Sequence, residues 1–172
     1  KIAEKKGVMS FIRSLSLLQY KKDEIELYLA GGAGNEEEYE AIRTLAKRCP
    51  YKVTFLGKMP QPELAKIYNM CDIFVLPSFF EGLPLTVIEA LSCGDRVVMT
   101  DIPGIKEWLD EYAPGADIRY VALPKMRNTD EPVAEALPGF ERELAKVLEE
   151  CIEAGETKAA DVSRISWERI AT

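Results

Sequence analysis

The sequence predicts an α/β fold: a doubly wound, Rossmann-like parallel sheet with helices on both faces. Three observations point there. Short runs of β-branched and aromatic residues alternate along the chain with longer stretches whose apolar residues recur at helical spacing. CDIFVLPS and RVVMTD, two such runs, bracket an apolar helical stretch, and strand, loop, helix, strand is the parallel crossover unit. Pro84 and Gly94 delimit that stretch, since proline suits a first helical turn and glycine suits the left-handed residue past a helix end.

Each element can be placed in order. Lys6 to Gln19 reads as a helix with Val8, Phe11, Ile12, Leu15 and Leu18 on one face. Ile25 to Ala30 reads as a strand, followed by the glycine loop Gly31 to Gly34. Glu36 to Arg48 reads as a helix whose acidic start suits the positive end of the helix dipole. Val53 to Leu56 is a strand, and Pro62 opens a helix carrying Leu64, Ile67, Tyr68 and Cys71 on one face. Cys71 to Ser78 reads as a buried strand ending at Pro77, Pro84 to Cys93 as a helix, and Arg96 to Asp101 as a strand. Gly104 to Tyr112 is a short helix and Ile118 to Ala122 a last strand. Pro124 to Pro138 is polar and proline-bearing, a surface loop. Phe140 to Ala154 is an amphipathic helix, and Asp161 to Thr172 begins another.

Composition narrows the function classes. A chain of 172 residues, nearly half of them apolar, supports one domain with a real core. No run of eighteen apolar residues is present. The net charge of −7 argues against a broad nucleic-acid surface, and it requires any bound diphosphate to find local positive charge. Cys49, Cys71, Cys93 and Cys151 lack C-x-x-C spacing and read as buried thiols. The chain contains no histidine, so it can build neither a His-based triad nor a His zinc site.

The chemistry concentrates between Phe74 and Gly94, FVLPSFFEGLPLTVIEALSCG. Glu81 lies on the loop entering the predicted helix and Glu89 in its second turn, flanking Gly82, Leu83 and Pro84. Helical side chains lean toward the N-terminus, so both carboxylates reach toward the helix start. The N–H groups of Leu85, Thr86 and Val87 point into the same space, which makes it an anion site. Two solvated carboxylates are the plainer reading, but an unpaired charge in the apolar run around Glu89 would be costly. A glycosidase pair is disfavoured, because eight residues of helix separate two groups by about 12 Å. Lys6, at a helix start, is either an ordinary exposed lysine or a functional cation, since a cation there opposes the dipole. Gly31 to Gly34 is not a G-x-G-x-x-G fingerprint, because Glu37 takes the place of its last glycine. That counts against a dinucleotide oxidoreductase. Met59 and Leu64 alone read as core.

The Phe74–Gly94 segment resembles the donor-binding signature of the group 1 glycosyltransferases, family 4, which have the GT-B fold. Four further segments agree: KIAEKKGVMSFIRSLSLL with the family's opening strand and helix, IELYLAGGAG with its second strand and glycine loop, YKVTFLGKMPQPELAKIYNMCD with the stretch that holds the nucleobase, and SWERIA with the start of its final helix. The resemblance implies a retaining transfer of a sugar from a nucleoside diphosphate such as UDP or GDP, with no cofactor and no metal. In these terms Glu89 holds the ribose and Glu81 contacts the donor sugar. Gly82, Leu83, Leu85 and Thr86 bind sugar and phosphate through backbone N–H groups, while Pro84 contributes shape only. Lys6 neutralises the diphosphate, and Met59, Leu64 and Gly32 surround the nucleobase. The family pairs that lysine with an arginine five residues earlier; Lys1 stands there in this chain and lacks the planar fork that grips phosphate bidentately.

The same resemblance implies that residues 1–172 form one nucleotide-sugar-binding domain excised from a larger two-domain enzyme. Residues 155–172 would form a helix continuing toward the missing N-terminal domain. That domain would hold the sugar, lipid or glycan acceptor, in polysaccharide, glycolipid or cell-surface glycan synthesis. The expected location is cytoplasmic, free or peripheral at the inner membrane face. The fragment alone is expected to bind donor nucleotide weakly and transfer nothing. A GT-B nucleotide-sugar epimerase or sugar phosphorylase and a non-catalytic α/β interaction module are the alternatives; the first two usually lean on histidine or additional carboxylates.

Overall fold

The computed structural model describes residues 1–165. A short 3-10 turn, Glu4–Lys6, precedes α1 (Val8–Leu15), followed by β1 (Glu26–Ala30), α2 (Glu36–Ala46), β2 (Lys52–Gly57), α3 (Gln61–Met70), β3 (Ile73–Leu76), α4 (Leu85–Cys93), β4 (Arg96–Asp101), α5 (Ile105–Tyr112), β5 (Ile118–Ala122) and α6 (Leu137–Glu153). All strand pairs are parallel, as expected for alternating strands and helices. The sheet is in two pieces: β1 pairs with β2, and β3, β4 and β5 run in that order.

Burial explains which strands read clearly. Every residue of β4 except Asp101 is buried. Val98 packs, with Val121 of β5, into a core shared with α1, α2 and α6. Val97 and Met99 pack on the opposite face against Val87 and Leu91 of α4 and Leu109 of α5. Helices therefore cover both faces, which is the doubly wound arrangement. β3 departs from the expected buried strand: all four of its residues are only half-buried. One of its edges faces β4, and the other opens on a groove instead of another strand.

Boundary differences have local causes. The first helix does not start at Lys6. Gly7 adopts a left-handed φ of 69° and splits the stretch into the 3-10 turn and α1. The helix also ends at Leu15, four residues early, although Leu18 is still buried. Pro84 is the N-cap of α4 and not its first residue, while Gly94 closes the helix at φ 96° as expected. Cys71 is the C-cap of α3 and no part of its apolar face. Within the expected loop of Pro124 to Pro138, Met126 bridges Pro132, Ala134–Ala136 forms a 3-10 turn, and Leu137 already starts α6. Gly155 to Ile165 contains no helix, contrary to the expectation for the C-terminal segment. The SWERIA stretch lies outside the described residues. Of the four thiols, all free, only Cys151 is fully buried.

Two buried charges next to β4 are treated differently. Arg96 is satisfied. Its Nε donates to Asp117 Oδ2 at 2.7 Å, and its Nη1 donates to the carbonyls of Cys151 and Gly155 at 2.7 and 3.0 Å, which caps the end of α6. Asp95 is not. It is 2% exposed, and neither carboxylate oxygen has a hydrogen-bond partner among the described residues. Burial, with a smaller contribution from the charge of Asp72, pushes its pKa up to about 7. A raised folded-state pKa means that the folded chain holds this proton more tightly than the unfolded chain. The associated stability is complete below about pH 4 and is lost as pH rises through about 7. Asp95→Asn is therefore expected to gain on the parent between pH 4 and 7, with the gain levelling at about 1–3 kcal/mol above pH 7. Urea titrations across that range check it; a pH-independent difference would contradict the assignment.

Candidate donor site at the ends of the strands

A clasp between the start of the chain and the β3–α4 loop builds the site. The left-handed turn at Gly7 abuts Pro77 so closely that a Cβ there would lie 1.9 Å from the Pro77 carbonyl oxygen. Glycine alone fits. The N–H of Phe79 donates to the Lys5 carbonyl at 3.0 Å. The Phe79 ring, 3% exposed, packs on Phe140 of α6 with centroids 5.5 Å apart. These contacts fix Lys6 over the loop. Its Nζ donates to Glu81 Oε1 at 2.7 Å, and Ser78 Oγ, fully buried, donates to the same oxygen at 2.6 Å. Glu81 Oε2 has no partner among the described residues. The sequence did not single out Ser78; its place three residues before Glu81 in the same motif was the available signal.

The helix start offers fewer donors than the sequence suggested. Leu85 N–H turns back to the Leu83 carbonyl at 2.9 Å, and Val87 N–H bonds to the Pro84 carbonyl at 3.0 Å. The N–H groups of Gly82, Leu83 and Thr86 have no partner among the described residues. Leu83 and Leu85 stand 39% and 38% exposed in the same stretch.

Glu89 belongs to a second network. It accepts from Gln61 Nε2 at 2.7 Å and from the Tyr68 hydroxyl at 3.4 Å, both on α3. Burial and the Glu89 charge push the Tyr68 hydroxyl pKa well up, so it remains a donor. The structure does not bring Glu81 and Glu89 onto a common partner. Glu81 is tied to the chain start and Glu89 to α3. Gln61 and Tyr68 were missed, because pairing across 28 and 21 residues leaves no mark in a local motif.

The glycine loop sits against the start of the chain. Ile2 N–H donates to the Gly32 carbonyl at 2.9 Å, and Ile2 bridges Ala33 in parallel. The Lys58 side chain lies over Gly32, with Cε 2.8 Å from where a Cβ would stand. Lys1 and Lys58 thus flank the loop, and with Lys6 they place local positive charge on this acidic chain. Met59 is half-buried immediately before the N-cap of α3, and Leu64 packs partly against the α3–α4–α5 core. Among the described residues no group of three or more potential metal ligands converges.

Residues 1–122 match the family model of glycosyl transferases group 1. The chain belongs to that family and carries a GT-B-type domain. It is 34% identical over 110 residues to the N,N'-diacetylbacillosaminyl-diphospho-undecaprenol alpha-1,3-N-acetylgalactosaminyltransferase of Campylobacter jejuni, covering 64% of this chain and 27% of that protein. It is 30% identical over 104 residues to the alpha-galactosylglucosyldiacylglycerol synthase of Streptococcus pneumoniae, covering 59% and 27%. The match thus spans about a quarter of the length of these curated relatives. Among solved structures, Anabaena Alr3699/HepE in complex with UDP-glucose superposes with a TM-score of 0.67 at 21% identity, over 90% of this chain and 37% of that one. The catalytic domain of the Helicobacter pylori cholesterol-alpha-glucosyltransferase superposes with a TM-score of 0.55 at 24% identity, over 88% and 85%. At these identities the superpositions speak for the fold. No helix among the described residues is long and apolar enough to cross a membrane.

Proposed function

We propose that this chain is the donor-binding half of a retaining glycosyltransferase and holds a nucleoside diphosphate sugar at the carboxyl ends of its strands. The observation that carries the reading is the Lys6–Glu81–Ser78 cluster, set beside the free N–H groups of Gly82, Leu83 and Thr86. An ammonium and unpaired amides suit a diphosphate, and a carboxylate with one open oxygen suits sugar hydroxyls. Lys6 and the helix start would stabilise the charge that develops on the leaving diphosphate, with Lys1 assisting. Glu81 Oε2 would accept from a donor-sugar hydroxyl. Glu89, oriented by Gln61 and Tyr68, would accept from the ribose, and Gly32, Met59 and Leu64 would border the base. No cofactor or metal is required by this arrangement of charges.

The acceptor would be held by a separate N-terminal domain. The curated relatives carry an undecaprenol-linked sugar and a diacylglycerol glycolipid in their names, which favours a glycan or glycolipid acceptor. Thermal unfolding with UDP, GDP, ADP and their sugar conjugates at millimolar levels tests the donor site. One nucleotide is expected to stabilise the chain by about 2.7 kcal/mol at a hundred times its dissociation constant. Glu89→Ala is expected to remove most of that gain. A gain unchanged in Glu89→Ala and in Lys6→Ala would place the nucleotide elsewhere.

A further inference from the structure

A second cavity, of about 450 Å3, lies outside the donor site. Its size is within the range of small-molecule sites, about 300–1,000 Å3. Lys5 and Phe79 line it, whereas Lys6 and Glu81 line the groove beside β3. The clasp is therefore a wall with a cavity on each side. Phe79, 3% exposed, forms the base of the second cavity together with Pro132 and Leu137. The loop between β5 and α6 supplies another wall, and its own hydrogen bonds hold it in shape. Val133 N–H donates to the Lys125 carbonyl and Arg127 N–H to the Glu131 carbonyl, both at 2.8 Å. Asn128 Oδ1 accepts from the N–H groups of Asp130 and Glu131 at 3.2 and 2.9 Å, which closes the turn.

The polar groups around this base select the class of ligand. Glu131 is neutralised: Arg127 Nη1 donates to its Oε1 at 3.2 Å and Asn128 Nδ2 to its Oε2 at 3.0 Å. Glu38 Oε1 accepts the N–H of Glu4 at 2.7 Å, and Glu38 Oε2 has no partner among the described residues. The carboxylates of Glu4 and Asp130 and the Lys5 ammonium, which line the same cavity, have none either. The excess of carboxylate repels a phosphate or another carboxylate. No three potential metal ligands converge among the described residues. A wholly apolar ligand would strip these charges of water and leave them unpaired. A saccharide avoids each of these conflicts. Its hydroxyls donate to carboxylates and accept from an ammonium, and the C–H face of its ring covers an apolar base.

Phe80 extends the site toward Glu81. It lines neither cavity and stands 47% exposed, although both of its neighbours are fixed. Phe79 N–H is held by the Lys5 carbonyl, and the Glu81 carboxylate by Lys6 and Ser78. A rigidly held, exposed ring is a stacking surface for the C–H face of a sugar. Two residues of backbone span at most about 7 Å, so the base of the cavity and Glu81, with its open Oε2, are near neighbours. We propose that the cavity is a saccharide site: it takes an inner sugar of the acceptor glycan, and the next sugar stacks on Phe80 beside Glu81. That the saccharide is an acceptor rests on the donor-site reading; that the cavity binds saccharide does not.

The test titrates the isotope-labelled chain, without nucleotide, with maltose, cellobiose, chitobiose and mannobiose at millimolar levels, following amide chemical shifts. At least one disaccharide is expected to shift the amides of Phe79, Phe80 and Asn128 to Glu131 saturably. Ala134→Trp, at an exposed position lining the cavity, is expected to fill it and abolish those shifts. Phe80→Ala is expected to weaken binding by about fivefold. Where Ala134→Trp fails to fold, Asp130→Asn serves in its place and is expected to weaken binding without filling the cavity. The absence of a saturable shift at these amides with every disaccharide overturns the proposal, as does an equal response to glycerol at matched hydroxyl concentration. A stronger response to argininamide would assign a cation site and also overturn it. Stabilisation by UDP, measured alongside, is expected to survive Ala134→Trp. Disaccharide binding without any nucleotide binding would remove the donor-site reading alone; nucleotide binding without disaccharide shifts would remove this proposal alone.

Discussion

Gly7→Ala is expected to lower the melting temperature by roughly 10 °C and to abolish nucleotide-induced stabilisation. Two costs combine at this residue. A left-handed φ of 69° costs a non-glycine residue about 1–2 kcal/mol. The added Cβ would also stand 1.9 Å from the Pro77 carbonyl oxygen, so the turn or the end of β3 must move. Together they place the loss at about 3–5 kcal/mol, with each kcal/mol worth about 2–4 °C in a domain of this size. Movement there carries Lys6 away from Glu81. Gly104→Ala separates the two costs: φ is 83°, but nothing lies within 4 Å of the new Cβ. It is expected to cost only about 1–2 kcal/mol and leave nucleotide binding intact. Equal losses in the two variants would remove the steric argument.

Arg96→Met is expected to cost about 3–5 kcal/mol, because it strips a buried ion pair of one partner. The guanidinium is 5% exposed and serves three acceptors on two elements: Asp117 just before β5, and the Cys151 and Gly155 carbonyls at the end of α6. Arg96→Lys is expected to recover little, since one ammonium cannot reproduce the planar fork. Burial opposes the Asp117 charge, but hydrogen bonds and charges from Arg96 and Arg119 outweigh it and hold the carboxyl below its usual range. A depressed pKa contributes stability above the unfolded value that is lost as pH falls through the folded one. The penalty of Arg96→Met should therefore shrink under acid conditions. Urea unfolding at pH 7 measures the main effect; a loss below about 1 kcal/mol would mean that water replaces the guanidinium.

The strands were the most legible part of the chain, and the reason is local. β4 and β5 lie at the residues their β-branched runs indicate, because β4 is buried on both faces and turn residues bound each run. β3 carries an equally apolar run, yet its burial depends on what lies across the sheet, which a window of eight residues does not contain. At the N-terminus the periodicity of Val8 to Leu15 was right, but the sign of φ at Gly7 was not legible, because a packing contact with Pro77 sets it. In the site, Glu81 and Lys6 were singled out by motif, each for a separate role, and the direct ion pair between them was not legible in the sequence. The donors at the helix start were over-counted, because backbone bonds at Leu85 and Val87 consume two of them. Gln61 and Tyr68 reach Glu89 through the packing of α3 on α4, a tertiary fact without a sequence period.

The clasp between Glu4–Gly7 and the β3–α4 loop has a thermodynamic consequence. Its ion pair joins groups 75 residues apart in sequence, so it closes a long loop and forms after the local structure on either side. The segment that carries it is short, and short segments open at a free energy below that of the whole domain. The cluster at Glu81 is complete only in the docked fraction of molecules. A ligand that needs Lys6 binds with an apparent affinity reduced by that fraction, and its binding in turn secures the clasp. Ligand affinity and the anchoring of the Glu4–Gly7 turn are thus two readings of one equilibrium.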